Sequence, residues 1–292
     1  MLLKGPAMGR WLYPDGELRP YSDVDLLVPP DHHLGAERCL RTLSCRPLGD
    51  PAPHARTWTC PPGAPGTIDL HHSYHYVTVT DQLCWDVLAE GAVSIDLGTT
   101  TAQSPSPPAL ATLLVLHAVR ADGSSTASAD LTRALDRSDD ELWRAAAVIA
   151  ERLGASEAFG EGIRRARGRH EVVEALDLPP LRSPTVALSM SPRPRTTAGF
   201  SRLSSAGSPG ELLWRLVREL VPTPVHMRSC YPRLARWRPL GLPAAYLVRP
   251  VFVAFQAPAG LRAWREIRRS VQPGHASPPS EPEPAQPQSA RP

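Results

Sequence analysis

Beyond its two acids, the segment Asp23-Val24-Asp25-Leu26-Leu27-Val28 is apolar on both faces, and Pro29-Pro30 follows at once. Such a run reads as a short buried strand, which the prolines end because they cannot donate to a ladder. A second extended pattern covers Gly66-Thr67-Ile68-Asp69-Leu70-His71-His72-Ser73-Tyr74-His75-Tyr76. Strand alternation sets Asp69, His71, Ser73 and His75 on one face and Ile68, Leu70, His72, Tyr74 and Tyr76 on the other. Residues 31–43 suit a helix capped by Asp31, and residues 56–60 a strand before the turn Pro61-Pro62-Gly63. Residues 81–89 suit another helix and 93–97 another strand.

From Pro107 the period changes. Residues 109–119, 129–135, 140–153, 156–166 and 171–176 place apolar positions three and four apart, as helices that cover a sheet do. His117, inside the first of these, reads as a packed core histidine. Residues 179–209, rich in Pro, Ser, Thr and Gly, read as a linker or long excursion. Helices over 210–220 and 258–270 then flank a proline-broken stretch containing Tyr246-Leu247-Val248-Arg249-Pro250-Val251-Phe252-Val253, and residues 271–292 are expected to be disordered. The resulting division is a core of 1–104, a helical region of 105–178, a linker of 179–209, a basic helical region of 210–270 and a tail of 271–292.

Composition narrows the setting. A chain of 292 residues can bury a real core in one large domain or two small ones. No uninterrupted apolar stretch of about 20 residues exists, so no transmembrane segment and a cytoplasmic location are expected. Five cysteines, Cys39, Cys45, Cys60, Cys84 and Cys230, are odd in number and widely spaced, which fits reduced thiols. Residues 1–180 hold 16 basic and 24 acidic side chains, whereas 181–270 hold 15 arginines and 3 glutamates, a net +12. The basic part either folds back on the acidic one or meets an outside polyanion, such as RNA or an acidic membrane surface. Arg228, Arg233, Arg236 and Arg238, interleaved with Tyr231 and Trp237, suit either role. With no nucleic-acid-binding motif in sight, docking within the protein is the favoured reading and local contact with phosphate the second; a protein partner through this region is a further option, and nucleic acid is disfavoured.

The chemistry begins with Asp23 and Asp25, which share a face. Two carboxylates on an otherwise apolar strand repel each other and resist desolvation, so either a raised pKa or a cation between them is expected. Hard oxygen donors favour magnesium, held by carboxylates and substrate phosphates. If the strand of Asp69 lies beside the first, three acids meet, enough for phosphoryl chemistry with magnesium at the attacking and leaving oxygens. His71, His72 and His75 could instead ligate zinc, or simply form a polar wall; no cysteine stands at a zinc-ribbon spacing. Lys4 is the single lysine among 32 cations, in Leu3-Lys4-Gly5. A compact ammonium beside a glycine suits a tight phosphate site that a planar guanidinium does not, although one chance lysine is the plain alternative.

The runs Leu3-Lys4-Gly5 to Leu12-Tyr13-Pro14-Asp15, Leu18-Arg19-Pro20-Tyr21-Ser22-Asp23-Val24-Asp25-Leu26-Leu27-Val28 and Ile68-Asp69-Leu70-His71 resemble the uncharacterised nucleotidyltransferase family of the polymerase-beta-like superfamily. A weaker likeness extends to Pro107-Pro108-Ala109-Leu110, Leu116-His117-Ala118 and Asp130-Leu131, over roughly the first 180 residues. The resemblance implies an α+β fold, a small mixed sheet flanked by helices and followed by a helical region. It implies Asp23 and Asp25 as magnesium ligands and Asp69 as the third carboxylate, either ligand or general base. Lys4-Gly5 stands where the wider superfamily carries a Gly-Ser phosphate loop, with Lys4, Gly5 and Ser22 toward the nucleotide. Arg19 and His71 are expected to contact substrate; the alternative for Arg19 is a loop arginine paired with Asp15 or Glu17. Family members usually carry a helical segment ahead of the Lys-Gly motif, and here the motif follows Met1 closely.

The leading expectation is a magnesium-dependent enzyme that moves a nucleoside monophosphate from an NTP, ATP first among them, to a small-molecule, sugar or peptide acceptor. The competing one is an inactive nucleotide- or partner-binding module with a basic docking region.

Overall fold

The computed structural model describes residues 1–13, 17–61, 66–120, 125–166, 175–190, 195–204, 206–235, 237 and 240–271. Asp15, the turn at Pro62-Gly63, most of the expected helix 171–176, Arg236, Arg238 and the tail beyond Val271 lie outside them.

Strand β1 (Asp23–Leu27) forms where the apolar run predicts it. It pairs in parallel with β4 (Thr67–His71), which pairs antiparallel with β3 (Ala55–Thr59), itself antiparallel to β2 (Arg46–Pro47). The sheet order is β1-β4-β3-β2, a small mixed sheet as expected. A separate hairpin, β5 (Val93–Asp96) and β6 (Thr101–Ser104), is stitched to it by the first residues of the chain. The Leu2 amide donates to the Gln103 carbonyl at 2.8 Å, and the Leu3 amide to the Asp25 carbonyl at 3.0 Å.

Two local expectations change. The extended segment after Asp69 stops at His71, because the amides of His72 and Ser73 turn to the His54 carbonyl, at 3.1 and 3.3 Å, instead of continuing the ladder. Asp31 does not cap a helix; a 3-10 turn, Pro30–His32, leads into α2 (His33–Thr42) without a side-chain cap bond. By contrast α3 (Asp81–Ala89) is capped by Thr80, whose hydroxyl accepts from the Leu83 amide.

Helix α1 (Pro6–Leu12) starts from Gly5 with proline at its first turn. The helical half consists of α4 (Pro107–Ala118), α5 (Ser125–Arg137), α6 (Asp140–Arg152) and α7 (Ser156–Arg165). Helix α4 is apolar on every side and buried from Ala109 to Leu116, the pattern of a central core helix. At Gly162 of α7 a Cβ would lie 2.5 Å from Val115 Cγ1, so glycine lets the two helices approach. Leu3, Met8, Leu27, Leu113, Trp143 and Phe159 belong to this main core. A smaller core holds Leu40, Cys45, Trp58 and Leu70 between α2 and the sheet.

The expected linker carries two helices, α8 (Pro184–Ser189) and α9 (Arg195–Ser204). Short apolar groups find cover there: Met190 joins the main core, and its carbonyl accepts from Arg165 at 3.1 Å. Helices α10 (Pro209–Leu220), α11 (Pro224–Cys230), α12 (Pro232–Ala235) and α13 (Gly241–Ser270) follow. Helix α13 runs through Pro250 and Pro258, where a proline-broken stretch was expected. Each interior proline costs about 3 kcal/mol of helix stability. Close packing opposes that loss, since a Cβ at Gly260 would lie 2.3 Å from Thr196 Oγ1 of α9. Among the described residues α13 is also the one helix long and apolar enough to cross a membrane by length and composition. Arg249 and the prolines interrupt the apolar run and hid it from a count of uninterrupted residues.

Candidate active site

The parallel register of β1 and β4 sets Asp25 opposite Asp69 and Asp23 opposite Thr67. Residues two apart on a strand share a face, so all three acids look to one side of the sheet, where a cleft of about 730 Å³ opens. Asp25 lies at its floor, 1% exposed. Its Oδ1 receives Lys4 Nζ at 2.9 Å and His71 Nε2 at 2.9 Å. The other ring nitrogen of His71 faces the Ser73 carbonyl at 3.2 Å. Asp25 Oδ2 and Asp69 Oδ1 are both buried and have no hydrogen-bond partner.

One donor atom each from Asp25, Asp69 and His71 lies within 4.8 Å of the others. This set differs by one residue from the expected Asp23, Asp25 and Asp69. Asp23 is a strand position pair away, about 6.6 Å along β1, whereas Asp69 is directly across the ladder. His71, expected to contact substrate, is 2% exposed and turned onto Asp25.

The electrostatics follow from this packing. Burial pushes the Asp25 carboxyl up, but the His71 hydrogen bond and the Lys4 charge outweigh it and hold the group below its ordinary value. Burial pulls Lys4 down, and Tyr74 together with the Asp25 and Asp23 carboxylates more than reverses that, leaving it raised. The Tyr74 hydroxyl is pushed up to about 12 by burial. Lys4 therefore stands on the acid cluster itself, at the floor of the cleft.

Gly5 lines the cleft at φ 61, a conformation that costs an L side chain energy. Ser22 stands at the rim, and its carbonyl accepts from the Thr67 amide at 3.3 Å. Gly66 is indispensable to that contact, since a Cβ there would lie 1.8 Å from the Ser22 oxygen. Arg19 also lines the cleft, and among the described residues it pairs with Asp130 and not Glu17: Nε and Nη2 reach Asp130 Oδ2 at 2.8 and 2.7 Å. Glu17 pairs instead with Arg133, which stacks over the Tyr13 ring.

The facing wall went largely unread in the sequence. His54, His75, His117 and Arg120 line it, and His117 is thereby a cleft residue rather than the packed core histidine expected. The rings of His54 and His75 lie 3.8 Å apart, and Arg120 donates to His75. Burial, then neighbouring His71 and Arg120, lowers His54 to about 4; burial, His54 and Arg120 depress His75 further. At neutral pH both rings are uncharged hydrogen-bonding groups, and Arg120 supplies the charge. The three clustered histidines do not converge as a zinc site would require: His72 leaves the cleft to meet Asp81 at 3.0 Å. No periodicity marks His54 in its loop or Arg120 beyond α4, so only the fold reveals them.

The arrangement can hold a divalent cation on two bare carboxylate oxygens and an anionic substrate against Lys4, Arg19 and Arg120. No curated protein matches the chain. The model of a family described as uncharacterised nucleotidyltransferase matches residues 1–169, which span the sheet, the cleft and helices α1 to α7. On that match, over more than half its length, the chain belongs to the uncharacterised nucleotidyltransferase family.

Proposed function

We propose that the protein is a magnesium-dependent nucleotidyltransferase that moves a nucleoside monophosphate from an NTP, ATP being the first to test, to a hydroxyl or phosphate of a small molecule, sugar or peptide. The observation that carries this reading is the pair of partnerless buried oxygens, Asp25 Oδ2 and Asp69 Oδ1, facing across one parallel ladder beneath a cleft large enough for a nucleotide. Buried acceptors are expensive to leave unpaired, and a hard cation satisfies them. Asp25 and Asp69 would hold it, with Asp23 beside them and His71 orienting Asp25. When bound, magnesium neutralises the charge of the phosphates and so favours departure of pyrophosphate.

This chain's own groups do the rest. The acceptor oxygen bonds to the α-phosphorus, the bond to the pyrophosphate oxygen breaks, and the acceptor proton passes to the Asp69 carboxylate. Lys4, the Gly5 backbone and Ser22 line the triphosphate side, and Arg19, held by Asp130, presents a fixed guanidinium. Positioning of this kind suffices, because in-line phosphoryl transfer needs little covalent help. A cytosolic setting belongs to the proposal, and five cysteines outside any disulfide support it.

A second reading, an inactive nucleotide-binding module, is favoured by one observation: Lys4 already compensates Asp25. Thermal unfolding of the full chain with each NTP, with and without magnesium, separates the two. Stabilisation by one NTP that needs magnesium and is lost in Asp69→Asn supports the enzyme. Stabilisation indifferent to magnesium supports the module, and none with any NTP ends both.

A further inference from the structure

Two C-terminal helices are amphipathic with the apolar side turned outward. On α13, Leu247, Val248, Val251, Phe252 and Phe255 follow the spacing of a single helical stripe. All five are exposed, Leu247 by 78% and Phe255 by 84%. Helix α10 repeats the spacing with Leu212, Leu213, Leu216 and Val217, exposed as well, and adds an exposed Trp214. Isolated apolar residues on a surface need no explanation, but two such stripes on helices that touch each other do.

Other positions of α13 are already used. Ala245, Gly260, Ala263 and Ile267 are buried, and the Tyr246 hydroxyl donates to the Pro222 carbonyl at 2.7 Å. Arg249 ties α13 to the end of α10 through the Glu219 carbonyl, at 2.9 and 2.6 Å. These contacts tie α13 to the other C-terminal helices, α9 to α12, an arrangement that suits lying on a surface.

Charge selects the occupant. Residues 181–270 carry 15 arginines against 3 glutamates. Glu219 and Glu211 are engaged inside the segment by Arg202 and Arg215. A second copy would bring the same net +12 against itself. An anionic bilayer meets both features, acyl chains for the stripes and phosphates for the arginines. We propose that α10 and α13 form an in-plane attachment surface for membranes rich in anionic phospholipid, independent of the chemistry in the cleft.

The test is flotation of the full chain with vesicles of phosphatidylcholine alone and of phosphatidylcholine mixed with phosphatidylglycerol. The chain is expected to float with the anionic vesicles, far less with the neutral ones, and less as salt rises. The double variant Leu247→Ser, Phe255→Ser alters only exposed side chains; it should unfold at the wild-type temperature yet lose vesicle partitioning by at least about tenfold. Failure to float with anionic vesicles overturns the proposal, as does undiminished binding by the variant. A wild-type dimer that the same variant converts to monomer, without vesicle binding, overturns it in favour of a protein interface.

Discussion

Arg19 and Asp130, 111 residues apart in sequence, meet through two bonds to a single carboxylate oxygen, while the Tyr13 hydroxyl donates to the other at 2.6 Å. Asp130 is wholly buried on α5, so this contact joins the loop ahead of β1 to the helical half. Removing one member of a buried pair leaves the other uncompensated, at about 3 to 5 kcal/mol. Arg19→Met should therefore lower the unfolding midpoint strongly, and Asp130→Asn should weaken nucleotide binding although it touches no substrate. Wild-type stability and binding in both variants would show that the pair does not position Arg19.

The two facing acids should respond in opposite ways. Asp25→Asn strips Lys4 and His71 of their shared acceptor and is expected to cost about 3 kcal/mol. Asp69→Asn relieves repulsion and breaks no hydrogen bond at Oδ1, so its unfolding midpoint should hold or rise. Both should lower nucleotide transfer by about a hundredfold or more. Calorimetry beside a pyrophosphate-release assay reads the two effects separately, and an active Asp69→Asn would remove it from the mechanism.

Lys4→Arg keeps the charge but replaces a point donor with a broad fork in a position only 13% exposed. Magnesium-dependent stabilisation by NTP should fall by about tenfold in apparent affinity. Equal binding by lysine and arginine would mark position 4 as a generic cation.

Acid should weaken the α2 side of the sheet through Glu37, which bonds Arg41 at 2.8 Å and Arg56 at 3.2 Å. Burial raises its carboxyl, and the two arginines more than reverse that, leaving the folded value below 4.5. A depressed acid contributes fully above its unfolded value and loses that contribution as pH falls through the folded one. Glu37→Gln should thus cost about 1 kcal/mol near neutral pH. Its deficit should vanish as pH drops below 4.5 in parallel urea titrations; a deficit constant with pH would rule out the ionic contribution.

Much of the site was legible because it is local. Asp23 and Asp25 share a face by strand period alone, and Asp69 stands on a segment whose apolar neighbours announce a strand. The parallel pairing that unites them is a long-range fact, carried only by the resemblance. Arg19 is visible as a residue, whereas its partner Asp130 becomes visible only once α5 packs. Alternation already sets His72 and His75 on opposite faces, and they do part, although the strand ends at His71 and a turn carries them. Prolines misled most at α13, where local preference for a break yields to packing against α9.

Helix α4 fills the centre of the main core, and His117 and Arg120 emerge at its C-terminal end into the cleft. The beam that bears the hydrophobic load is thus also the arm that holds part of the substrate wall. A methyl group added at Gly162 would push on Val115, two residues short of His117, and so reach the cleft mechanically. Adjustments of helix packing far from any nucleotide are in this way changes to the shape of its berth.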